Sequence, residues 1–228
     1  MCNNLFCCCI TLEINICIRT IYMNIQNKEL QMANQKNVHK RIESTKQYVD
    51  GLNKEYSKLN IIRVDLSYKK PHSDDITLEK ANKDLNRMLN NRRSKPTIFK
   101  DQIGYVTKRE YTKDKGVHFH AIFIYDGQKV QKDAFKADQI GQYWQNEITQ
   151  GQGSYHNCNR NTYIFPGVGI LDHKDSKKRE NLDIAISYLC KDDDQDIEPI
   201  KTNAKDRAFT RGTITKSKEK LGRPRILS

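Results

Sequence analysis

Residues 110–126 read EYTKDKGVHFHAIFIYD, and their alternation decides how the chain is read. Phe119, Ala121 and Phe123 leave one side of an extended strand, while His118, His120, Ile122 and Ile124 leave the other. The polar turn TKDKG joins this run to an earlier one, so strands are predicted at about 103–112 and 117–125. A hairpin centred on Asp114 sets Glu110 opposite His118 and Lys108 opposite His120. Directly opposed residues have Cβ atoms roughly 4.5–5.5 Å apart, so a carboxylate and two imidazoles converge. A slip of one residue would turn Glu110 to the other face, which makes the register the deciding quantity. The strand is then apolar on both faces, with a polar trio at one open end.

Working outward, residues 38–58 suggest a polar helix with Val38, Ile42, Tyr48 and Leu52 as its apolar contacts. NIIRVDLSYKK alternates, with Ile62, Val64, Leu66 and Tyr68 on one side and Arg63, Asp65 and Ser67 on the other. Residues 77–93 form a second helix, with Leu78, Ala81, Leu85, Met88 and Leu89 inward. A third is predicted over 132–148, burying Phe135, Ile140, Tyr143 and Trp144. The stretch 149–161 reads as polar loop, and TYIFPGVGIL (162–171) as an edge or bulged strand because of Pro166. NLDIAISYLCK (181–191) is a short helix. Hairpin pairing mixed with helical crossovers predicts an α+β fold, an antiparallel-dominated sheet with helices packed on one face.

Forty Lys and Arg against 28 Asp and Glu give the 228-residue chain a formal net charge of +12, which favours a polyanionic partner. Residues 201–228 alone hold nine basic and two acidic side chains. Five of the seven cysteines lie in the first 17 residues, which is neither a disulfide framework nor a zinc pattern, and a cytoplasmic setting is expected. The opening apolar run is interrupted by Glu13, Asn15 and Arg19 and is too short to span a membrane. It is read as an upstream extension, with Met23 or Met32 as the start. The expected organisation is therefore an extension over 1–31, an N-terminal helix over 32–58, a catalytic domain over 59–200 and a basic, partly disordered DNA-binding tail over 201–228.

Glu110, His118 and His120 suit a divalent metal with positions left open for substrate oxygens. In the last helix Leu182, Ala185, Ile186 and Leu189 form the inward stripe, and Tyr188 lies off it with Lys191 one turn on. An ammonium beside a phenol stabilises developing phenolate or phosphate charge, so Tyr188 is a candidate nucleophile and Lys191 its companion.

RVDLSY in one strand, HFH in another preceded by Glu110, and Tyr188-x-x-Lys191 in a later helix resemble the three ordered motifs of HUH endonucleases. The chain resembles in particular the rolling-circle replication initiators of filamentous phages (inoviruses) and their prophage relatives, over about residues 55–215. The resemblance implies an RRM-like sheet, Mg²⁺ or Mn²⁺ held by His118, His120 and Glu110, and Tyr188 as the residue that becomes linked to a 5′-phosphate. It implies an enzyme that nicks and rejoins single-stranded or supercoiled origin DNA, working with host helicase and polymerase and with no membrane partner. Asp65 and Ser67 depart from the family's first motif and are carried as further candidates for a metal or DNA contact. Lys69, Lys70, Arg92 and Arg93 are candidate phosphate contacts, and Gly222-Arg223-Pro224-Arg225 resembles the core of an AT-hook, which makes Arg223 and Arg225 candidates for a minor groove. A transposase or relaxase of the same superfamily, or a non-catalytic prophage-derived DNA-binding protein, would share most of these features.

Overall fold

The computed structural model describes residues 35–92, 94–191, 197–203 and 206–214. The chain divides into two units, 1–41 and 42–228; of the first, residues 35–41 are described and are helical. The architecture below is that of the second unit, and of helix α1 (35–55) only the residues from Ile42 onward enter it.

Its centre is the expected hairpin. Strands β2 (Gln102–Thr112) and β3 (Gly116–Asp126) pair antiparallel, with Glu110 opposite His118 and Lys108 opposite His120. Gly116 takes a positive φ of 64° at the end of the turn, a conformation that costs glycine little. On its other side β3 pairs with β1 (Lys58–Tyr68), placing Asp65 opposite His120. Strands β4 (Gly153–Asn157) and β5 (Gly169–Asp172) share the far edge of β1, and β6 (Phe209–Arg211) closes the far edge of β2. All six strands pair antiparallel, in the order β4-β1-β3-β2-β6 with β5 beside β1. The fold is α+β and consistent with an RRM-like sheet.

The expected helical layer is α2 (Leu78–Asn90) and α4 (Asp133–Tyr143), with the short α3 (Pro96–Phe99) beside them. Thr77 caps α2 by accepting from the Lys80 amide at 3.2 Å. Leu85, Met88, Ile140 and Trp144 close over Ile62, Val64, Phe119 and Phe123. The helical path of α4 widens over Trp144–Ile148, and the Trp144 indole donates to Ser67 O at 2.9 Å. Gly141 allows β4 to approach, since a Cβ there would come within 2.1 Å of the Tyr155 ring.

The opposite face of the sheet carries a second layer over one end only. Tyr48, Val49 and Leu52 of α1, with Leu182, Ile186 and Leu189 of α5 (Ser176–Leu189), bury Leu59, Ile61, Val106, Ile122 and Ile124. The apolar half of the histidine-bearing side is what these helices cover. Its polar half lies beyond them.

Four expectations change. β4 lies within 149–161, which had read as loop because GSYHN carries few apolar residues. Of 162–171 only residues 169–171 are strand, as part of β5; the Pro-containing part before them runs outside the sheet. Phe135 is 59% exposed, because α4 turns Ala137, Ile140 and Gly141 inward instead. The segment after residue 200 is not wholly a tail. Ala208 is buried, Arg109 donates to Arg207 O at 2.9 Å, and β6 pairs with β2. Among the described residues no helix is long and apolar enough to cross a membrane.

Candidate metal centre

The hairpin delivers its polar trio as the register requires. One ligand atom from each of Glu110, His118 and His120 lies within 4.8 Å of the others, and among the described residues no other such group of three is found. His120 Nε2 is 3.1 Å and His118 Nε2 is 3.6 Å from Glu110 Oε2. The other imidazole nitrogens face away, toward acceptors. His118 Nδ1 lies 3.0 Å from Gly116 O, and a carbonyl only accepts, so Nδ1 carries a proton there. His120 Nδ1 lies 2.8 Å from Asp65 Oδ1, an electrostatic approach rather than a well-aligned hydrogen bond. Both rings are thus turned with Nε2 toward the same carboxylate oxygen. Metal-binding histidines are oriented by such partners on their second nitrogen.

Electrostatics supports the same reading. Burial opposes ionisation of Glu110, yet His118, His120 and Lys108 outweigh it and hold the carboxyl far below its usual range. Burial also disfavours charge on His120, but Asp65 and Glu110 push it up to about 9. Asp65 is held below the ordinary carboxylate range despite burial, through His120 and Arg63, whose Nε lies 3.4 Å away. Two anionic side chains therefore favour positive charge at His120, between them. A divalent cation fits this donor set. Glu110 Oε2 and the two Nε2 atoms would hold it, with Asp65 outside the trio as the partner of His120.

Lys108 was legible only as the residue opposite His120, with no role assigned. It is 1% exposed, and its ammonium lies 2.8 Å from Glu110 Oε1 while donating to Lys191 O at 2.6 Å. The lysine occupies one carboxylate oxygen and leaves the other facing the imidazoles. It also fastens the end of α5 to the site. Asp175 caps helix α5, its side chain accepting from the Lys178 amide at 2.9 Å, and Lys191 N returns to Tyr188 O at 3.3 Å. Tyr188 is 74% exposed, one turn before the carbonyl that Lys108 grips. Lys191 is exposed, and it is its carbonyl rather than its ammonium that reaches Lys108.

A row across four strands reads Lys108, His120, Asp65 and His156. His156, in the unforeseen strand β4, is exposed, with Nε2 3.1 Å from Asn161 Oδ1. A model of the YagK/YfjJ C-terminal domain matches residues 21–210. The chain belongs to that prophage-associated family. No curated protein and no solved structure matches it. The family match spans the hairpin, β1 and α5, and so contains every residue of the candidate centre.

The remaining candidates scatter. Ser67 shares Asp65's side of β1, its hydroxyl 3.5 Å from Ser154 O. Lys69 and Lys70 are exposed beyond the end of β1, with Lys70 paired to Asp74 at 2.7 Å. Arg92 is exposed at the other end of the molecule's central hairpin, its guanidinium 5.3 Å from the Tyr105 ring centroid. Arg93, Arg223, Arg225 and the stretch 1–31 lie outside the described residues.

Proposed function

We propose that this chain is a metal-dependent endonuclease and strand transferase of the HUH type, acting on single-stranded DNA as a rolling-circle replication initiator. The observation that carries the reading is the convergence of Glu110 Oε2 with the Nε2 atoms of His118 and His120, beside a helix end that presents Tyr188. Bound Mg²⁺ or Mn²⁺ would supply Lewis-acid polarisation of a nonbridging phosphate oxygen. Two imidazoles in the set favour Mn²⁺ over Mg²⁺.

The chain's own groups do the rest. Tyr188 Oη attacks phosphorus, forming a phosphotyrosyl ester as the bond to the 3′ oxygen breaks; the phenolic proton ends on the released 3′-OH. Lys108 holds the Glu110 carboxylate and the helix end in one arrangement, and the Lys191 ammonium offers positive charge near the new ester. One phosphodiester replaces another, so the reverse step rejoins the strand. A polymerase extends the free 3′ end in the meantime. A transposase or relaxase would use the same chemistry on other substrates.

Incubation with labelled single-stranded circular DNA and Mn²⁺, followed by denaturing electrophoresis, tests this. A covalent protein–DNA band is expected, absent in Tyr188→Phe and strongly reduced in His118→Ala. The exposure of Tyr188 favours one rival, in which water attacks instead. In that case Tyr188→Phe still cuts and no covalent band forms with the parent protein. Equal cutting by His118→Ala and the parent would remove the metal centre from the mechanism.

A further inference from the structure

At the other end of β2 lies a cleft of about 370 Å³ between α1, β2 and the segment after β6, within the range of small-ligand sites. Two arginines enter it from separate parts of the chain. The Arg92 guanidinium sits 5.3 Å from the Tyr105 ring centroid, and Arg211 sits 5.2 Å from that of Tyr48. Both guanidinium groups favour the phenolate of Tyr48, although burial outweighs them and keeps that phenol above its ordinary value. Both side chains line the same cleft.

Each arginine spends one N–H on the backbone, Arg92 Nε on Leu89 O at 2.8 Å and Arg211 Nη1 on Gly212 O at 3.3 Å. Glu55 also lines the cleft, but among the described residues no carboxylate forms an ion pair with either arginine. A guanidinium stacked on an aromatic ring presents its remaining N–H groups edgewise, which suits a phosphate. Tyr56 also lines the cleft and is half-buried; among the described residues its ring makes no ring or cation contact. The fold makes room for this arrangement with glycine. A Cβ at Gly104 or Gly212 would come within 2.7 or 2.5 Å of the Tyr48 hydroxyl.

We propose that this cleft binds a phosphorylated nucleoside unit of a single nucleic-acid strand, the phosphate between Arg92 and Arg211 and the base against Tyr56. Glu110 lies five steps along β2 from Tyr105, ~17 Å at ~3.4 Å per residue, so the cleft is a second contact and not a part of the metal centre. The net charge of +12 fits an anionic strand, and Arg211 was not among the contacts expected from the sequence. The inference adds a contact for the strand that the proposed nuclease would handle. It is read without metal, so its failure and the failure of the nuclease reading are separate.

The experiment measures anisotropy of a labelled oligothymidylate across a salt series in EDTA, with ATP as a competing probe. Replacing both arginines (Arg92→Gln with Arg211→Gln) is expected to weaken binding at least about tenfold and to flatten the salt dependence by ~0.7, the value for one phosphate contact on a single strand. Tyr56→Ala is expected to weaken it about fivefold or more with the salt slope unchanged, since stacking carries no counterion. The lysine pair (Arg92→Lys with Arg211→Lys) should recover the slope and part of the affinity, which a merely structural role would not produce. Failure of ATP to displace the oligonucleotide assigns the cleft to a strand; displacement that depends on both arginines assigns the same chemistry to a free nucleotide. Unchanged affinity and slope in the folded glutamine double variant would overturn the proposal.

Discussion

The two sides of β3 share one backbone and nearly one degree of burial, yet they are held in different ways. Phe119, Ala121, Phe123 and Tyr125 leave one side and are fully buried under α2 and α4. His118, His120, Ile122 and Ile124 leave the other, and only its isoleucine half is covered by α1 and α5. On the first side each contact is replaceable dispersion and area burial. At the polar end Lys108, Glu110 and His118 are each about 95% buried or more, and each is tolerable only because the others are there. Burial alone does not distinguish core from site. What distinguishes them is whether a side chain can be removed without stranding a charge.

That contrast can be broken at several points. Phe119→Ala should cost about 3–5 kcal/mol in urea unfolding, the usual range for truncating a packed aromatic. A loss under about 1 kcal/mol would mean that this side is not the core. Lys108→Met should cost about 3 kcal/mol, because Glu110 keeps its buried charge and loses its buried cation. Added Mn²⁺ should recover part of that loss, whereas it should do nothing for Phe119→Ala; thermal melts with and without metal separate the two. Asp65→Ala leaves His120 without its carboxylate, and titration calorimetry should show Mn²⁺ affinity falling about ten- to a hundredfold, as for other oriented metal ligands. Unchanged affinity would make Asp65 a bystander. The smallest effect is expected at Phe135, which is apolar but exposed: Phe135→Ser should shift stability by no more than about 0.5 kcal/mol.

The hairpin was legible because two signals agreed, a polar turn of fixed length and strict alternation on both sides of it. Together they fix the register, and the register fixes the Glu110–His118 pairing. The inward stripe of α5 and the off-stripe place of Tyr188 followed from helical spacing in the same manner. Strands β4 and β6 left no such trace, and β5 showed only as the end of a longer predicted strand. They are three to five residues long, lie at sheet edges, and are held by backbone pairing that any sequence can make. Phe135 misled because an apolar residue in a helix does not declare which way the helix is rolled. Lys108 was hidden for a different reason: a lysine in a strand reads as solvent-facing, and only the tertiary position of the Lys191 carbonyl gives its ammonium a second partner. The clustering of Arg92 with Arg211 likewise depends on residues more than a hundred positions apart.

Strand β6 has a consequence for how this protein behaves when it is shortened. Its three residues cap the border of β2, covering Val106 to Lys108, and Ala208 O takes the next amide at Arg109. A product ending before Ala208 would leave that row of amides and carbonyls bare, on a ribbon rich in β-branched and aromatic residues. Bare borders of this kind recruit other chains. Loss of the last few turns of sequence would then show first as self-association in solution, before any change in how the remaining protein handles its ligands.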